Sequence, residues 1–384
     1  MNKLYNSQID ITSNFELFLK KAVPNIRKTQ LNIIPSIMFG MIISESCSSS
    51  DIAKQLKDDA FNYVQFNSKI KRINRFWNNK LFEPSTFFKS IITFVLNTYH
   101  KKHSDNRVHI IFDHMFSHDN YTIFMLTMRI ASQGIPLTFK CFDGNNDDAF
   151  SLNTLQSCIK DVSDLFKNRG FELIFLADRW FSSTKLLDFI DSLGHTYCVR
   201  LKGNIKVYKD GIMTKAKKLK HRKFKSVIHK DVSITDKRYK TNLIYSASIN
   251  TSTPWIIVTN GDPKRAIKDY GYRFGGVESV FKNQKSNGFH LNNINNASIK
   301  AFTTMYTILC TCQLYLTILG TDFSKNTRCY SKVKIETHKT YIKDGRKVRK
   351  RVMSLFNTGL TLFHLAFQSS FYIRLPFSFI LYDV

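Results

Sequence analysis

The cysteines of this sequence lack the arrangements that bind a structural metal or build a disulfide framework. There are seven of them in 384 residues, and none forms a CxxC pair or stands at a zinc-type spacing from histidine. We therefore expect neither structural zinc nor disulfides, and we expect a reducing cytoplasm as the location. The seven are Cys47, Cys141, Cys158, Cys198, Cys310, Cys312 and Cys329.

Long apolar stretches are also rare. Met1 to Glu16 has no apolar run after its first charges, so no signal peptide is expected. Ala301 to Gly320 is long enough to span a bilayer and carries no charge. Its threonines and Gln313 favour a buried helix instead, so we expect no membrane partner. We also expect this helix to continue directly from one around Glu278.

Acidic residues are scarce relative to basic ones. Lys and Arg number 57 against 29 Asp and Glu, which gives a net charge of +28 and a pI near 9.8. This excess indicates a polyanionic partner. Two blocks concentrate it, with fifteen Lys or Arg against three Asp from Arg200 to Lys240, and eleven against two acidic residues from Lys325 to Arg351. The first block would meet a polyanion by itself, whereas the second could instead be a solvated loop.

Apolar side chains are plentiful, at 43% of the residues with 33 Phe, which is enough for a sizeable core. Up to about residue 100 they recur at helical spacing, and strand-like runs begin at Arg107. Val108–Asp113 and Glu172–Asp178 are buried-type strands that each end on a carboxylate. The other predicted elements are strands at Tyr121–Ile130, Pro136–Phe142 and Tyr197–Lys202, and helices at Leu152–Lys167 and Ser183–Leu193.

The region from Gly203 to about Asn260 has the pattern of an inserted β subdomain, with strands at Ser226–Ile234, Asn242–Ile249 and Trp255–Val258. After it, the stretch Tyr270–Gly288 predicts a helix that begins behind Gly275-Gly276. The polar face of this helix would carry Glu278, Lys282 and Lys285. It is either a solvated helix end with an i,i+4 pair between Glu278 and Lys282, or a carboxylate held where phosphates bind.

Three acidic residues stand out in this order of elements: Asp113, Asp178 and Glu278. Each alone could be an edge carboxylate or a helix N-cap. Brought together from two strands and a helix, they would form a hard oxygen-ligand site suited to Mg²⁺ or Mn²⁺. Two such ions roughly 3.5 to 4 Å apart activate a water or a 3′-hydroxyl and stabilise the leaving oxygen of a phosphodiester.

This order of elements and acidic residues resembles that of the DDE transposases of bacterial insertion sequences, and more narrowly that of their IS-four branch. The motifs cover nearly the whole chain: Arg72-Ile-Asn-Arg-Phe-Trp-Asn78, Ala177-Asp-Arg-Trp-Phe181, Tyr197-Cys-Val-Arg-Leu-Lys-Gly-Asn204, the Tyr-x2-Arg…Glu-x6-Lys signature and Leu381-Tyr-Asp383. The signature maps onto Tyr270, Arg273, Glu278 and Lys285, with Tyr272 as a competitor of Tyr270. Four residues separate Arg273 from Glu278 where the family usually has three. The glycine pair could absorb the extra residue as a loop.

The resemblance implies an α/β fold with a ribonuclease H-like core at residues 105–203 and 261–320. A β-rich basic insertion at 204–260 would precede the helix of the catalytic Glu278. An all-helical DNA-binding domain would occupy 1–104, and a basic loop with a C-terminal helical tail would occupy 321–384. The catalytic and metal-binding residues would be Asp113, Asp178 and Glu278, with two Mg²⁺ or Mn²⁺ ions.

The implied reaction is cut-and-paste transposition of an insertion sequence, in a bacterial cytoplasm at the nucleoid. It comprises cleavage at terminal inverted repeats, a hairpin intermediate, and strand transfer into target DNA by a freed 3′-hydroxyl. The implied assembly is a homodimer in a synaptic complex. Two other functions stay open: a DNA-binding protein that has lost catalysis, and a host nuclease of the same fold.

DNA contacts are predicted for cations and aromatic residues near the carboxylates and in the insertion. Trp255 is assigned to stack on a base flipped out near the cut, because related hairpin-forming transposases use a tryptophan in the matching strand. The alternative is a core tryptophan. The full set is Arg179, Lys217, Lys218, Arg222, Trp255, Tyr270, Arg273, Lys282 and Lys285.

Overall fold

A computed structural model describes residues 7–57, 61, 64–98, 106–117, 120–144, 146–219, 225–247, 254–294, 298–326, 330, 333–343 and 346–368. The N-terminal part is helical, as its apolar spacing predicts. Ser7 begins the first helix with a capping box, in which its hydroxyl and the Asp10 carboxylate satisfy each other's backbone N–H groups. The helices are α1 (Gln8–Ala22), α2 (Lys28–Leu31), α3 (Ile34–Ser44), α4 (Ser49–Gln55), α5 (Phe66–Trp77) and α6 (Pro84–Asn97).

A sheet of ten strands forms the centre of the chain. Its first half contains the predicted meander β1 (Arg107–Ser117), β2 (Tyr121–Ile130) and β3 (Gln133–Asp143), followed by β4 (Glu172–Ala177) and β5 (Thr196–Arg200). β4 pairs parallel to β1, and β5 pairs parallel to β4, with β1 between β2 and β4. Helices α7 (Leu152–Phe166) and α8 (Thr184–Ser192) make the connections that parallel strands require.

The strands of the insertion extend this same sheet. They are β6 (Lys206–Lys209), β7 (Ile212–Lys215), β8 (Val227–Ile234), β9 (Tyr239–Tyr245) and β10 (Ile256–Thr259). β10 pairs antiparallel with β5 and joins the two halves. The sequence pattern also missed β6 and β7, which are only four residues each.

Three helices follow the insertion: α9 (Ala266–Gly271), α10 (Val277–Lys285) and α11 (Ile299–Lys325). The prediction that the apolar helix continues from the one at Glu278 is wrong, because α10 and α11 are separate helices. In the described part of the chain, α11 is long and apolar enough to span a membrane, and the bent helix pair Lys28–Ser44 and Ser49–Gln55 would count as a second candidate if taken as one span. The most apolar window of α11 is 94% buried inside the protein, as in a core helix.

The C-terminal basic segment contains regular structure that the charge pattern did not predict. β11 (His338–Lys343) and β12 (Arg346–Arg351) pair as an antiparallel ribbon, and α12 (Leu355–Gln368) follows and packs on α11. One continuous cluster of buried apolar side chains connects the N-terminal helices, the sheet and α11.

Candidate active site

Strand pairing brings the first two predicted carboxylates to neighbouring positions. β1 and β4 run parallel with Ile111 opposite Leu176. The same register, continued by two residues, sets Asp113 beside Asp178. Asp113 lies inside β1 and not at its end as predicted, since the strand runs on to Ser117. Asp178 does follow its strand directly, as predicted.

A short turn fixes the second carboxylate. Asp178 is the N-cap of a 3₁₀ turn, and its side chain accepts a hydrogen bond from the backbone N–H of Arg179. Phe181 anchors the turn, because its buried ring packs edge-on against Phe112, with the centroids 4.8 Å apart. Asp178 is therefore held at the end of β4, while Arg179 and Trp180 of the same turn are exposed.

The segment that carries the third carboxylate is tied to β1 by a buried ion pair. Arg107 donates two hydrogen bonds to Asp269 of α9, at 3.0 and 2.9 Å, and His109 Nε2 lies 3.1 Å from the same carboxylate. The pKa of Asp269 is lowered, because these two partners outweigh the cost of its burial. His109 and Asp113 are four residues apart on one strand and so share a face. The same contacts therefore bring the chain after α9 over Asp113.

A glycine turn connects α9 to α10. Gly275 has φ +81, and a Cβ atom there would lie 2.7 Å from the carbonyl oxygen of Ser132. Arg129 holds the other side of the turn by donating to the carbonyl oxygens of Tyr272 and Phe274, at 2.5 and 2.9 Å. The residue that lengthens the signature spacing is thus accommodated between the helices.

Arg273 occupies the centre of the site. Its Nη2 lies 3.0 Å from Asp113 Oδ2 and 3.7 Å from Asp178 Oδ2, and its Nη1 lies 3.0 Å from Glu278 Oε1. The Arg273 side chain is only 7% exposed. Glu278 thus pairs with Arg273, so the i,i+4 partner Lys282 is not the one that it contacts. The three carboxylates converge on one cation.

Burial and neighbouring charge act against each other on Asp113. Burial raises the pKa of its carboxyl, and the Asp178 and Glu278 carboxylates raise it further, while the backbone N–H of His114 and the Arg273 guanidinium lower it; the net direction is upward. An acidic cluster of this kind favours a cation at its centre, and Arg273 supplies that charge.

The predicted DNA-contact cations lie mostly at the surface. Arg179, Lys217, Lys218 and Lys282 are exposed. Lys285 donates from Nζ to the carbonyl oxygen of Phe116 at 2.6 Å, and partial burial lowers the pKa of its amine. Arg222 lies outside the described residues. For all of these cations the DNA contact stays a prediction.

The two aromatic residues predicted to contact DNA pack together beside the turn. Tyr270 is 1% exposed, and burial raises the pKa of its hydroxyl to about 12. Trp255 immediately precedes β10 and does not lie within it; its ring meets Tyr270 edge-on and stacks on Phe274, with both centroid distances 5.3 Å. Tyr272, the competitor for the signature position, is less buried and lies under the Arg129 guanidinium.

One exposed aromatic residue was overlooked by sequence reasoning. Trp180 follows Asp178 by two residues and is 77% exposed, with the Lys202 ammonium 4.6 Å from its ring centroid. The motif Ala177-Asp-Arg-Trp-Phe181 contains it, but the spacing does not show which of its side chains points outward. The 3₁₀ turn determines that Phe181 is buried and Trp180 is exposed.

The three carboxylates are groups that bind divalent cations well, but in the structure they surround the Arg273 guanidinium. Carboxylate oxygens are the ligands that Mg²⁺ and Mn²⁺ prefer, and all three carboxylates reach the same cationic group. In the part of the chain that the structure describes, however, no group of three His, Cys, Asp or Glu side chains is arranged to hold a metal ion. Asp113, Asp178 and Glu278 are the residues that would hold such an ion at this place.

A family model described as the transposase DDE domain matches residues 100–314, more than half of the chain and the part that contains all three carboxylates. The chain belongs to the DDE transposases. The region that the family model matches begins just before β1 and ends within α11, so it includes the whole ten-stranded sheet. No curated protein matches the chain.

Two solved structures show distant likeness to this transposase. One is described as a cryo-EM structure of the piggyBac transposase synaptic complex with hairpin DNA, with 12% identity, a TM-score of 0.45, and coverage of 94% of this chain and 78% of the other. The second is an Argonaute of Marinitoga piezophila with guide RNA and target DNA, with 10% identity, a TM-score of 0.23, and coverage of 60% and 34%. Both are too distant to bear on the function.

Proposed function

We propose that this protein is a metal-dependent transposase of the IS-four branch, which cleaves DNA at the ends of an insertion sequence and joins the freed 3′ end to target DNA. The observation that carries the proposal is the convergence of Asp113, Asp178 and Glu278 on one buried cation, inside the matched transposase domain. Three meander strands followed by two strands parallel to the first support a ribonuclease H-like core.

The residues of the site have separable tasks in this proposal. Asp113, Asp178 and Glu278 would hold two Mg²⁺ or Mn²⁺ ions, which when bound activate the attacking oxygen and stabilise the leaving one. Arg273 compensates part of the negative charge of the carboxylates and would contact a phosphate of the DNA when the ions are bound. Lys282, Lys285 and Arg179 surround the site with positive charge, which holds the polyanionic strand.

Three finer points belong to the same proposal. The cut at the flanking DNA proceeds through a hairpin, with Trp255 on a flipped base. The protein acts as a homodimer in a synaptic complex with terminal inverted repeats and target DNA. The helical segment α1–α6 forms the DNA-binding domain, and the location is the bacterial cytoplasm at the nucleoid.

The test is cleavage of labelled duplexes that carry the DNA flanking the gene, with and without Mg²⁺. Wild type should cut at the element ends, and Asp113→Ala, Asp178→Ala and Glu278→Ala should each abolish cutting while DNA binding stays largely intact, because the variants remove metal ligands and no phosphate contact. Asp188→Ala, at an exposed position of α8, is the matched control and should cut normally.

The other functions give different results in the same assay. A protein that has lost catalysis would bind the duplexes and leave them uncut in both Mg²⁺ and Mn²⁺. A host nuclease would cut without preference for the element ends. Retained cutting by any one of the three variants would remove that residue from the metal site.

A further inference from the structure

The ribbon of β11 and β12 stands apart from the main sheet. Its two strands pair with each other, from His338 opposite Arg351 to Lys343 opposite Arg346, and form a separate two-stranded sheet. The twelve strand residues include seven Lys or Arg and no Asp or Glu. Arg346 to Lys350 are all exposed. Neither the family match, which ends at residue 314, nor the acidic site includes this ribbon.

The charges in the ribbon are arranged against its own stability. Lys339 lies directly opposite Lys350, and like charges at directly opposed positions destabilise a strand pair. One acidic neighbour, Glu336, approaches Lys339 at 4.0 Å, which is a weak exposed contact. Since an isolated hairpin is marginal in water, this sequence is better suited to contact with a polyanion than to solvent alone.

The base of the ribbon is attached to the core. The backbone N–H of Val352 donates to the carbonyl oxygen of Thr337 at 3.0 Å and closes the open end of the ribbon. Arg351 Nη2 donates to Ser324 Oγ at 3.2 Å, near the end of the buried helix α11. The base of the ribbon is therefore tied to the last turns of α11.

The shape and side chains of the ribbon fit duplex DNA. The major groove of B-DNA, about 12 Å wide, admits a two-stranded β-ribbon, and Lys or Arg on both strands reach phosphates. The exposed apolar side chains Tyr341, Ile342 and Val348, of which Ile342 is 78% exposed, are able to contact sugars and thymine methyl groups. Single-strand binding instead needs several aromatic rings, and Tyr341 is the one Phe, Tyr or Trp in these two strands.

We propose that the β11–β12 ribbon is a duplex-DNA-binding arm that lies in a groove and contacts phosphates through its Lys and Arg side chains. This inference rests on DNA being the substrate, as proposed above, but not on cleavage. It assigns to the transposase a second DNA contact, separate from the acidic site.

The test compares wild type with two triple variants of the full chain for binding to a short labelled duplex in EDTA, over a series of salt concentrations. Lys347→Gln/Arg349→Gln/Lys350→Gln should bind more weakly, and its slope of log affinity against log salt should be shallower by about 2 to 3, since each phosphate contact contributes about 0.9. Lys160→Gln/Lys167→Gln/Lys185→Gln removes the same charge from exposed positions on or next to α7 and α8 and should keep the wild-type slope. The affinities of the variants for the single strand of the same sequence should differ less from one another than their affinities for the duplex.

A second measurement reports directly on the ribbon. Trypsin cleaves after exposed Lys and Arg, so Lys339 and the exposed run Arg346 to Lys350 should be cut early in the free protein. Duplex DNA should slow cutting there more than at Lys160 or Lys185. Equal slopes for the ribbon variant and wild type, or no protection of the ribbon, would overturn the inference. If wild type itself fails to bind the duplex, the proposed function fails instead. Neutralising the opposed charges should leave the thermal midpoint unchanged or raised, which separates loss of binding from loss of folding.

Discussion

Arg273 is the residue whose role changes most between sequence and structure. Four residues separate it from Glu278 where the family usually has three, yet its guanidinium lies among the three carboxylates, within 3.0 Å of two of them. Tyr270, the tyrosine of the signature, is instead buried and packs beside the turn. A single cation thus compensates part of the negative charge of the three carboxylates.

We predict that Arg273→Ala increases the stabilisation that Mg²⁺ gives to the protein. Without Mg²⁺ the thermal midpoint should fall, because three carboxylates then lose their shared cation. With Mg²⁺ about 100-fold above its Kd, the free energy of unfolding should recover by about 2.7 kcal/mol, and this gain should exceed that of wild type, in which the guanidinium competes with the ion. Differential scanning fluorimetry over a Mg²⁺ series measures both effects.

Arg179→Ala is the matched control for that experiment. It removes an exposed guanidinium next to Asp178 without touching the contacts of Arg273. Its Mg²⁺ response should equal that of wild type. Equal responses of Arg273→Ala and wild type would show that arginine and metal do not share one place.

Two tryptophans make contrasting predictions for hairpin formation. Trp255→Ala should still permit the first nick but form hairpins poorly, because a sharply bent strand must unstack a base, at a cost of a few kcal/mol, and an aromatic face offsets that cost. A 2-aminopurine beside the cut should lose its fluorescence change in the variant. Since the Trp255 ring already stacks on Phe274, base capture requires these rings to separate.

Trp180→Ala tests the exposed ring beside Asp178 in the same assay. A normal 2-aminopurine signal in Trp255→Ala together with its loss in Trp180→Ala would transfer base capture to Trp180. Unfolding of Trp255→Ala, seen as a lost cooperative transition, would make Trp255 a core residue.

The turn between α9 and α10 determines whether Glu278 reaches the site. Gly275 takes a left-handed backbone conformation against Ser132, and Arg129 fixes the neighbouring carbonyls. The sequence predicted that this glycine pair could form a loop, and the structure places both glycines between the helices. The sequence did not show which part of the sheet this loop contacts.

Gly275→Ala should destabilise the protein by about 1 to 3 kcal/mol, because an L-residue there is strained and its Cβ meets the Ser132 carbonyl. Gly271→Ala is the control, since a Cβ at that position meets nothing within 4 Å and alanine favours the helix. Urea unfolding of both variants measures the difference. A similar free energy of unfolding for the two would show that the turn tolerates a side chain.

Long elements were predictable, and their partners were not. The meander, α7, α8 and α10 follow from local periodicity and agree with the predicted positions to within a few residues. The connection of β10 to β5, the ribbon β11–β12 and the break between α10 and α11 were missed. Strand pairing joins residues that are far apart in the chain. The alternation of apolar and polar residues predicts a strand, but it does not indicate which other strand pairs with it.

The excess of positive charge is spread over two basic surfaces with different structures. Lys217 and Lys218 lie in the short turn that follows β7, whereas the second block forms the ribbon. Both surfaces suit phosphate contacts, which raise affinity for any duplex and carry no sequence information.

Neutralising several of the insertion cations should flatten the salt dependence of DNA binding. The set is Lys217, Lys218, Lys220, Arg222 and Lys223, of which the last three lie outside the described residues. Each lost phosphate contact should reduce the slope of log affinity against log salt by about 0.9. Fluorescence anisotropy with the Lys160, Lys167 and Lys185 variant as control measures this, and an unchanged slope would show that these cations face solvent only.

The residues alone determined the chemistry that this transposase has available: the three carboxylates, the basic balance, and the strands and helices that carry Asp113, Asp178 and Glu278. These features are local, since composition and periodicity depend on residues close together in the chain. Only the tertiary structure decided that Asp113 lies beside Asp178, because that depends on a register offset between β1 and β4. It likewise decided that Arg273, 160 residues from Asp113, fills the space between the carboxylates. Such convergence follows from long-range packing around a shared core, and the spacing of residues along the chain does not encode it.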